Sequence, residues 1–129
     1  MANIGRADCS LSTAAYLSDM MWKPLQSFED LDTAIAASHA HPVVLFKHST
    51  RCSVSAIAKR NFEAQWDPAQ QAEAYLLDLI TYRSVSNAIA ERFEVQHESP
   101  QMLVISDARL QFHESHGFIS AIHPSISGA

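Results

Sequence analysis

Two cysteines in 129 residues, no long apolar run and no surplus of positive charge set the first limits on this chain. Cys9 and Cys52 are too few for a disulfide framework at this size, which points to a reducing, cytoplasmic setting. No apolar stretch approaches the roughly 20 residues of a membrane span. The first residues lack a basic region followed by an apolar core, so a secretory leader is not expected. A formal net charge of −5 argues against nonspecific binding to nucleic acid or anionic membrane. Repeats and low-complexity segments are absent as well.

What remains is a globular balance, with 47% hydrophobic and 18% charged residues, sized for one domain with one core. Residues 1–20 are small and polar and read as a flexible N-terminal tail. Residues 21–123 read as the folded domain, and 124–129 as a polar C-terminal tail. Trp22–Leu25 suits a short edge strand, because Pro24 would not suit a central one. Ser27 reads as an N-cap, followed by acidic Glu29, Asp30 and Asp32 and by the apolar stripe Leu31, Ala34 and Ile35. That predicts a helix over Phe28–Ser38. The all-apolar run Val43–Phe46 predicts a central, parallel strand.

A helix is expected from about Cys52 to Trp66, with Val54, Ile57, Ala58 and Phe62 inward. Strands are expected at Ala74–Leu79 and Met102–Ile105, with a helix over Arg83–Phe93 between them. Asp107–Arg109 reads as a turn into a hairpin strand, Leu110–His113, and Gly117 to about Ile122 as a last short helix. The order βαβαβαββα implies an α/β fold with helices on both faces of a mixed sheet of four to five strands.

The chemistry concentrates in Phe46-Lys47-His48-Ser49-Thr50-Arg51-Cys52-Ser53-Val54-Ser55. A cysteine at a strand-to-helix junction sits where free N–H groups and the helix dipole favour an anion. Such placement lowers a thiol pKa from about 8.5 toward roughly 3.5–7.5. Lys47, His48 and Arg51 read as donors or positive charge on the same short loop. The third residue after Cys52 is Ser55, so the site is a monothiol rather than a Cys-x-x-Cys dithiol. The Ser55 hydroxyl has two readings: pointing to solvent, or donating to the thiolate. The seven histidines show no helical zinc spacing and no second cysteine beside them, so no metal site is expected. Cys9 has two readings: an unpaired thiol in the tail, or a distant resolving cysteine if the tail folds back.

Element order, a cysteine after the second strand, and Ser99-Pro100 just before the hairpin resemble the thioredoxin fold, a three-layer α/β/α sandwich. More narrowly, FKHSTRCSVSAIA, the Ser99–Gln101 triplet and Ser115-His116 resemble the monothiol bacilliredoxin family, over about Trp22 to Ile122. That resemblance implies an oxidoreductase that removes bacillithiol from mixed disulfides on proteins. It makes Cys52 the nucleophile and gives His48, Ser49, Thr50, Arg51 and Ser55 the shaping of its pocket. Pro100 would be cis and face the sulfur, with the backbone of Ser99 pairing with substrate. Ser115 and His116, at the start of the last helix, would offer an anion site. The reaction needs no bound cofactor, bacillithiol being a co-substrate, and the partners are thiolated proteins and a small thiol. Rival readings are a glutaredoxin-like [2Fe–2S] carrier, although Cys-Gly-Phe-Ser is absent, and a non-catalytic redox sensor of thioredoxin fold.

Overall fold

The computed structural model describes residue 20 and residues 22–127. The expected N-terminal tail up to residue 19, with Cys9, lies outside the described residues.

Eight principal elements follow in order: β1 (Trp22–Pro24), α1 (Phe28–Ala37), β2 (Val43–His48), α2 (Ser53–Gln65), β3 (Glu73–Asp78), α3 (Arg83–Phe93), β4 (Gln101–Ser106) and β5 (Arg109–Ser115). A 3₁₀ turn at His116–Phe118 and a short helix α4 (Pro124–Ser127) close the chain. The sheet has five strands in the order β1-β3-β2-β4-β5. β2 runs parallel to β3 and antiparallel to β4, so it is central but only half of its pairing is parallel. β1 lies at the edge, as Pro24 requires.

Period-two alternation along each strand divides the core into two layers. Val43, Leu45, Tyr75, Leu77, Leu103 and Ile105 pack against Leu31, Ile35, Val85 and Ile89 of α1 and α3. Val44, Phe46, Ala74, Met102 and Val104 pack against Ala58 and Phe62 of α2 and against Ile119 and Ile126. This is the α/β/α sandwich expected from the element order. Helix α1 begins where its cap predicts: Ser27 Oγ accepts the Asp30 N–H at 3.0 Å, and the Asp30 carboxylate accepts the Gln26 N–H at 2.8 Å. The Asp107–Ala108 turn uses two left-handed residues, φ 56° and 63°, which suits a tight hairpin.

Three expectations need correction. The helix foreseen over Gly117–Ile122 is a three-residue turn, because His116 takes a left-handed φ of 58° and redirects the chain. The helix comes later, where Pro124 occupies a first helical position. The expected C-terminal tail therefore carries structure: Ile126 is 1% exposed in the core, and His123 stacks on Phe112 at 3.8 Å. In α2, Val54 and Ile57 are not inward; they are 48% and 53% exposed, and the buried stripe is Ser55, Ala58 and Phe62.

Candidate active site at the end of β2

Cys52 is the residue immediately before α2, in extended conformation with φ −118°. Its N–H donates to Ser49 O at 3.2 Å and its carbonyl accepts the Ala56 N–H at 3.1 Å. The loop 49–52 is thus closed on itself, and the cysteine holds the N-cap place. No side-chain cap bond is made there, and no acidic residue stands in the first turn. The positive end of the α2 dipole and the uncapped first-turn N–H groups lie beside a half-buried thiol.

Ser55 resolves differently from both of its sequence readings. It is fully buried, and its hydroxyl is spent on the loop. Oγ accepts the Ser49 N–H at 2.9 Å and lies 2.7 Å from His48 Nδ1. Burial pushes the His48 pKa down, helped by Lys59 and only partly offset by Asp78 and Glu63. The ring is therefore neutral near pH 7. Oγ accepts the Ser49 N–H and keeps a second lone pair, so it meets Nδ1 as donor or as acceptor according to the ring tautomer. The hydroxyl is buried from solvent and makes no hydrogen bond to the Cys52 sulfur. Ser49 is buried, and its Oγ lies 3.4 Å from the Arg51 N–H. Thr50 and Arg51 are exposed on the loop.

Lys47 corrects a second expectation. The strand continues past Phe46, and alternation turns Lys47 to the opposite face from His48, into the layer of α1 and α3. Its ammonium is fully buried, donating to Ser86 O at 3.1 Å and to His97 Nδ1 at 3.3 Å. Burial, then the charge of Arg83, push its pKa down to about 8. It adds no charge to the cysteine loop. The signal was present in the sequence: Val43, Leu45 and Lys47 share one face once the strand runs through residue 48. His97, which meets the same ammonium, carried no local pattern that singled it out.

The second wall is the segment before β4. The Ser99–Pro100 peptide is cis, as expected. Lys47 pairs with Gln101 across β2 and β4, and one further step in that register sets Pro100 level with His48. The proline therefore stands at the end of the sheet where the cysteine loop begins. Pro100 O accepts the His116 N–H at 3.0 Å, which ties the turn after β5 to the same edge. His116 Nε2 lies 2.7 Å from the Glu98 carboxylate. A three-residue turn has no helix dipole of consequence, and Glu98 already supplies the anion. The anion-holding role expected of Ser115 and His116 accordingly loses its physical basis, although both residues do border the Ser99–Pro100 segment.

A small cavity of about 110 Å³ lies along the flank of α2, lined by Val54, Ile57, Ala58, Asn61, His116, Gly117 and Ile119. It joins the exposed apolar residues of α2 to the turn that Pro100 holds. A larger cavity, about 410 Å³, lies at the far end of α2 around Gln65, Asp67 and His123, remote from the cysteine. Among the described residues no three His, Cys, Asp or Glu side chains gather into a metal-binding group. No described helix is long and apolar enough to cross a membrane.

Comparison with known proteins agrees with this architecture. A solved structure described as having a thioredoxin fold is 26% identical, with a TM-score of 0.72 over 82% of this chain and 91% of its own. Mitochondrial thioredoxin 3 from Saccharomyces cerevisiae, in its oxidised form, is 14% identical, with a TM-score of 0.64 over 84% of this chain and 95% of its own. Fasciola hepatica thioredoxin is 17% identical, with a TM-score of 0.60 over 73% and 86%. The two thioredoxins are alike in fold alone. Residues 23–123 match the family described as Monothiol bacilliredoxin BrxC, which takes in the cysteine loop, the cis-proline and the closing hairpin. The chain belongs to that family, and is a thiol oxidoreductase of thioredoxin fold.

Proposed function

We propose that this protein removes bacillithiol from protein mixed disulfides by a one-cysteine mechanism. The observation that carries the reading is the place of Ser55. A resolving thiol would stand at this third position after the nucleophile, and here it is a buried hydroxyl bonded to His48 and Ser49. No internal disulfide can form along α2, and in this reading the small thiol stays on Cys52 until a second thiol removes it.

The exchange balances without a cofactor. The Cys52 thiolate attacks the bacillithiol sulfur of a protein–S–S–bacillithiol disulfide. The Cys52–S bond forms, the old S–S bond breaks, and the protein leaves as thiolate and takes a proton from water. A second low-molecular-weight thiol then attacks the Cys52 adduct and releases a small-molecule disulfide and the free enzyme. Ser99 supplies backbone for pairing with the extended substrate, and His48, Ser49 and Thr50 set the shape of the loop. Exposed Arg51 contacts the carboxylates of the acidic thiol.

The deciding assay follows thiol release from one protein carrying either bacillithiol or glutathione on the same cysteine. The bacillithiol form should react faster. Cys52→Ser should abolish turnover of both. Arg51→Ala should slow the bacillithiol substrate by about tenfold, roughly 1.4 kcal/mol, with little change for glutathione. Equal wild-type rates for the two substrates would sink the bacillithiol assignment.

A further inference from the structure

Lys47 is an unusual occupant of its site. It is 0% exposed, and no carboxylate pairs with it among the described residues. The charged or titratable groups that face it are Arg83 on α3 and His97 in the segment before β4, with Glu98 acting on His97. Burial, then the charges of Lys47 and Arg83, push the His97 pKa down against an opposing Glu98, which keeps that ring an acceptor for the ammonium. Gln101, its partner across the strands, is also buried in this layer. Gln101 Nε2 donates to Gln96 O at 2.9 Å, while its Oε1 is buried with no partner among the described residues. A core shaped for stability alone would place apolar side chains at both positions. Polar residues that break the local rule in this way gather where function, rather than packing, decides the side chain.

Both of these side chains reach the same short stretch. Lys47 holds His97, and Gln101 holds Gln96, two neighbours in the segment that runs from α3 to Ser99 and Pro100. Lys47 also holds Ser86 O in the first turn of α3, so one ammonium joins the helix to the segment that follows it. We propose that Lys47, with Gln101, is a positioning residue for disulfide exchange, fixing residues 96–99 from beneath so that the Ser99 backbone is set for substrate. It does so through His97 and touches neither the sulfur nor the substrate.

The inference rests on the thiol-exchange reading for its kinetic consequence but not for the anchoring itself, so the experiment reads both. Lys47→Met, His97→Ala and the double variant are compared with wild type. Lys47→Met should raise KM for the bacillithiolated protein by about tenfold, because a small misplacement of a positioning group is enough to weaken binding. Alkylation of Cys52 by iodoacetamide, which needs no substrate pairing, should stay within about twofold of wild type. His97→Ala should move KM in the same direction, and the double variant should add little to it, since His97→Ala already removes the Lys47 contact and that of Ser86 Oγ to the same nitrogen. Amide hydrogen exchange over residues 96–99 should quicken in each, with the melting temperature of Lys47→Met held or raised. An unchanged KM in both single variants, or alkylation slowing in step with KM, would overturn the proposal. Should Lys47→Met fail to fold, His97→Ala decides alone. Should wild type not act on mixed disulfides, the hydrogen exchange still judges the anchoring: unaltered rates refute it, and faster rates sustain it while the proposed function falls.

Discussion

The end of β2 sends two neighbouring residues in opposite directions, and the two sides use them differently. On the α2 side, His48 meets a buried hydroxyl beneath the cysteine loop. The layer behind it is aromatic: Trp22, Phe46 and Phe62 lie with ring centroids 5.5–5.6 Å apart, and Trp66 lies tilted against Phe62 at 5.6 Å. On the α3 side, Lys47 meets a carbonyl and an imidazole beneath the segment that carries Pro100, and the layer behind it is aliphatic. Each wall of the cleft is thus held from its own face of the sheet. A buried hydroxyl bonded to an imidazole and a backbone N–H holds the cysteine loop, whereas a buried cation with no carboxylate partner among the described residues holds the facing wall. The first arrangement favours both stability and function, and the second favours position over stability.

The aromatic side should yield the largest loss of stability. Phe62→Ala removes a fully buried ring that touches three others, and is expected to cost about 3–5 kcal/mol. Denaturant unfolding measures it, and a loss below about 1 kcal/mol would mean that this layer repacks freely. Ser55→Ala comes next. It orphans the Ser49 N–H and His48 Nδ1 together, and should cost about 1–3 kcal/mol while slowing turnover by loosening the loop. If stability falls but turnover does not, the hydroxyl supports the core rather than the site.

The smallest effect is the one that treats both sides alike. His48 and His97 both have pKa values depressed in the folded state, so each binds protons more readily once unfolded. Their contribution to stability is whole above the unfolded value of about 6.5 and is lost as pH falls through the lower folded values. Unfolding free energy should therefore decline from pH 7 to pH 5. His48→Gln should flatten part of that decline and His97→Gln another part. A slope that neither variant alters would place the acid sensitivity elsewhere.

Much of this was legible in the primary structure because the signals are local. Ser27, Pro24, the apolar run Val43–Phe46 and the Asp107–Arg109 turn each act through their own backbone, and they placed α1, β1, β2 and the hairpin within a residue or two. Cys52 was legible at a helix start for the same reason, whereas the cis-Pro100 was expected from the resemblance to the thioredoxin fold. What was not legible depends on neighbours distant in sequence. The burial of Ser55 follows from how α2 rolls onto the sheet, which also turned Val54 and Ile57 outward. The fate of Lys47 required His97, fifty residues away. The closing turn misled because His116 takes a left-handed conformation, which helical periodicity does not reveal.

The two outer strands have a colloidal consequence. An open sheet offers unpaired N–H and C=O groups to any extended chain, the route by which sheets join edge to edge. Here β1 is three residues long, with exposed Lys23 and Pro24 on it, and so gives a second chain almost nothing to pair with. At the other margin the β4–β5 ladder shifts register between Val104 and Ile105, and Arg109, Gln111 and His113 of β5 are exposed. Such irregularity and polarity spoil a straight template. Among the described residues, this thiol oxidoreductase thus presents no straight sheet edge on which an extended chain could pair and accumulate.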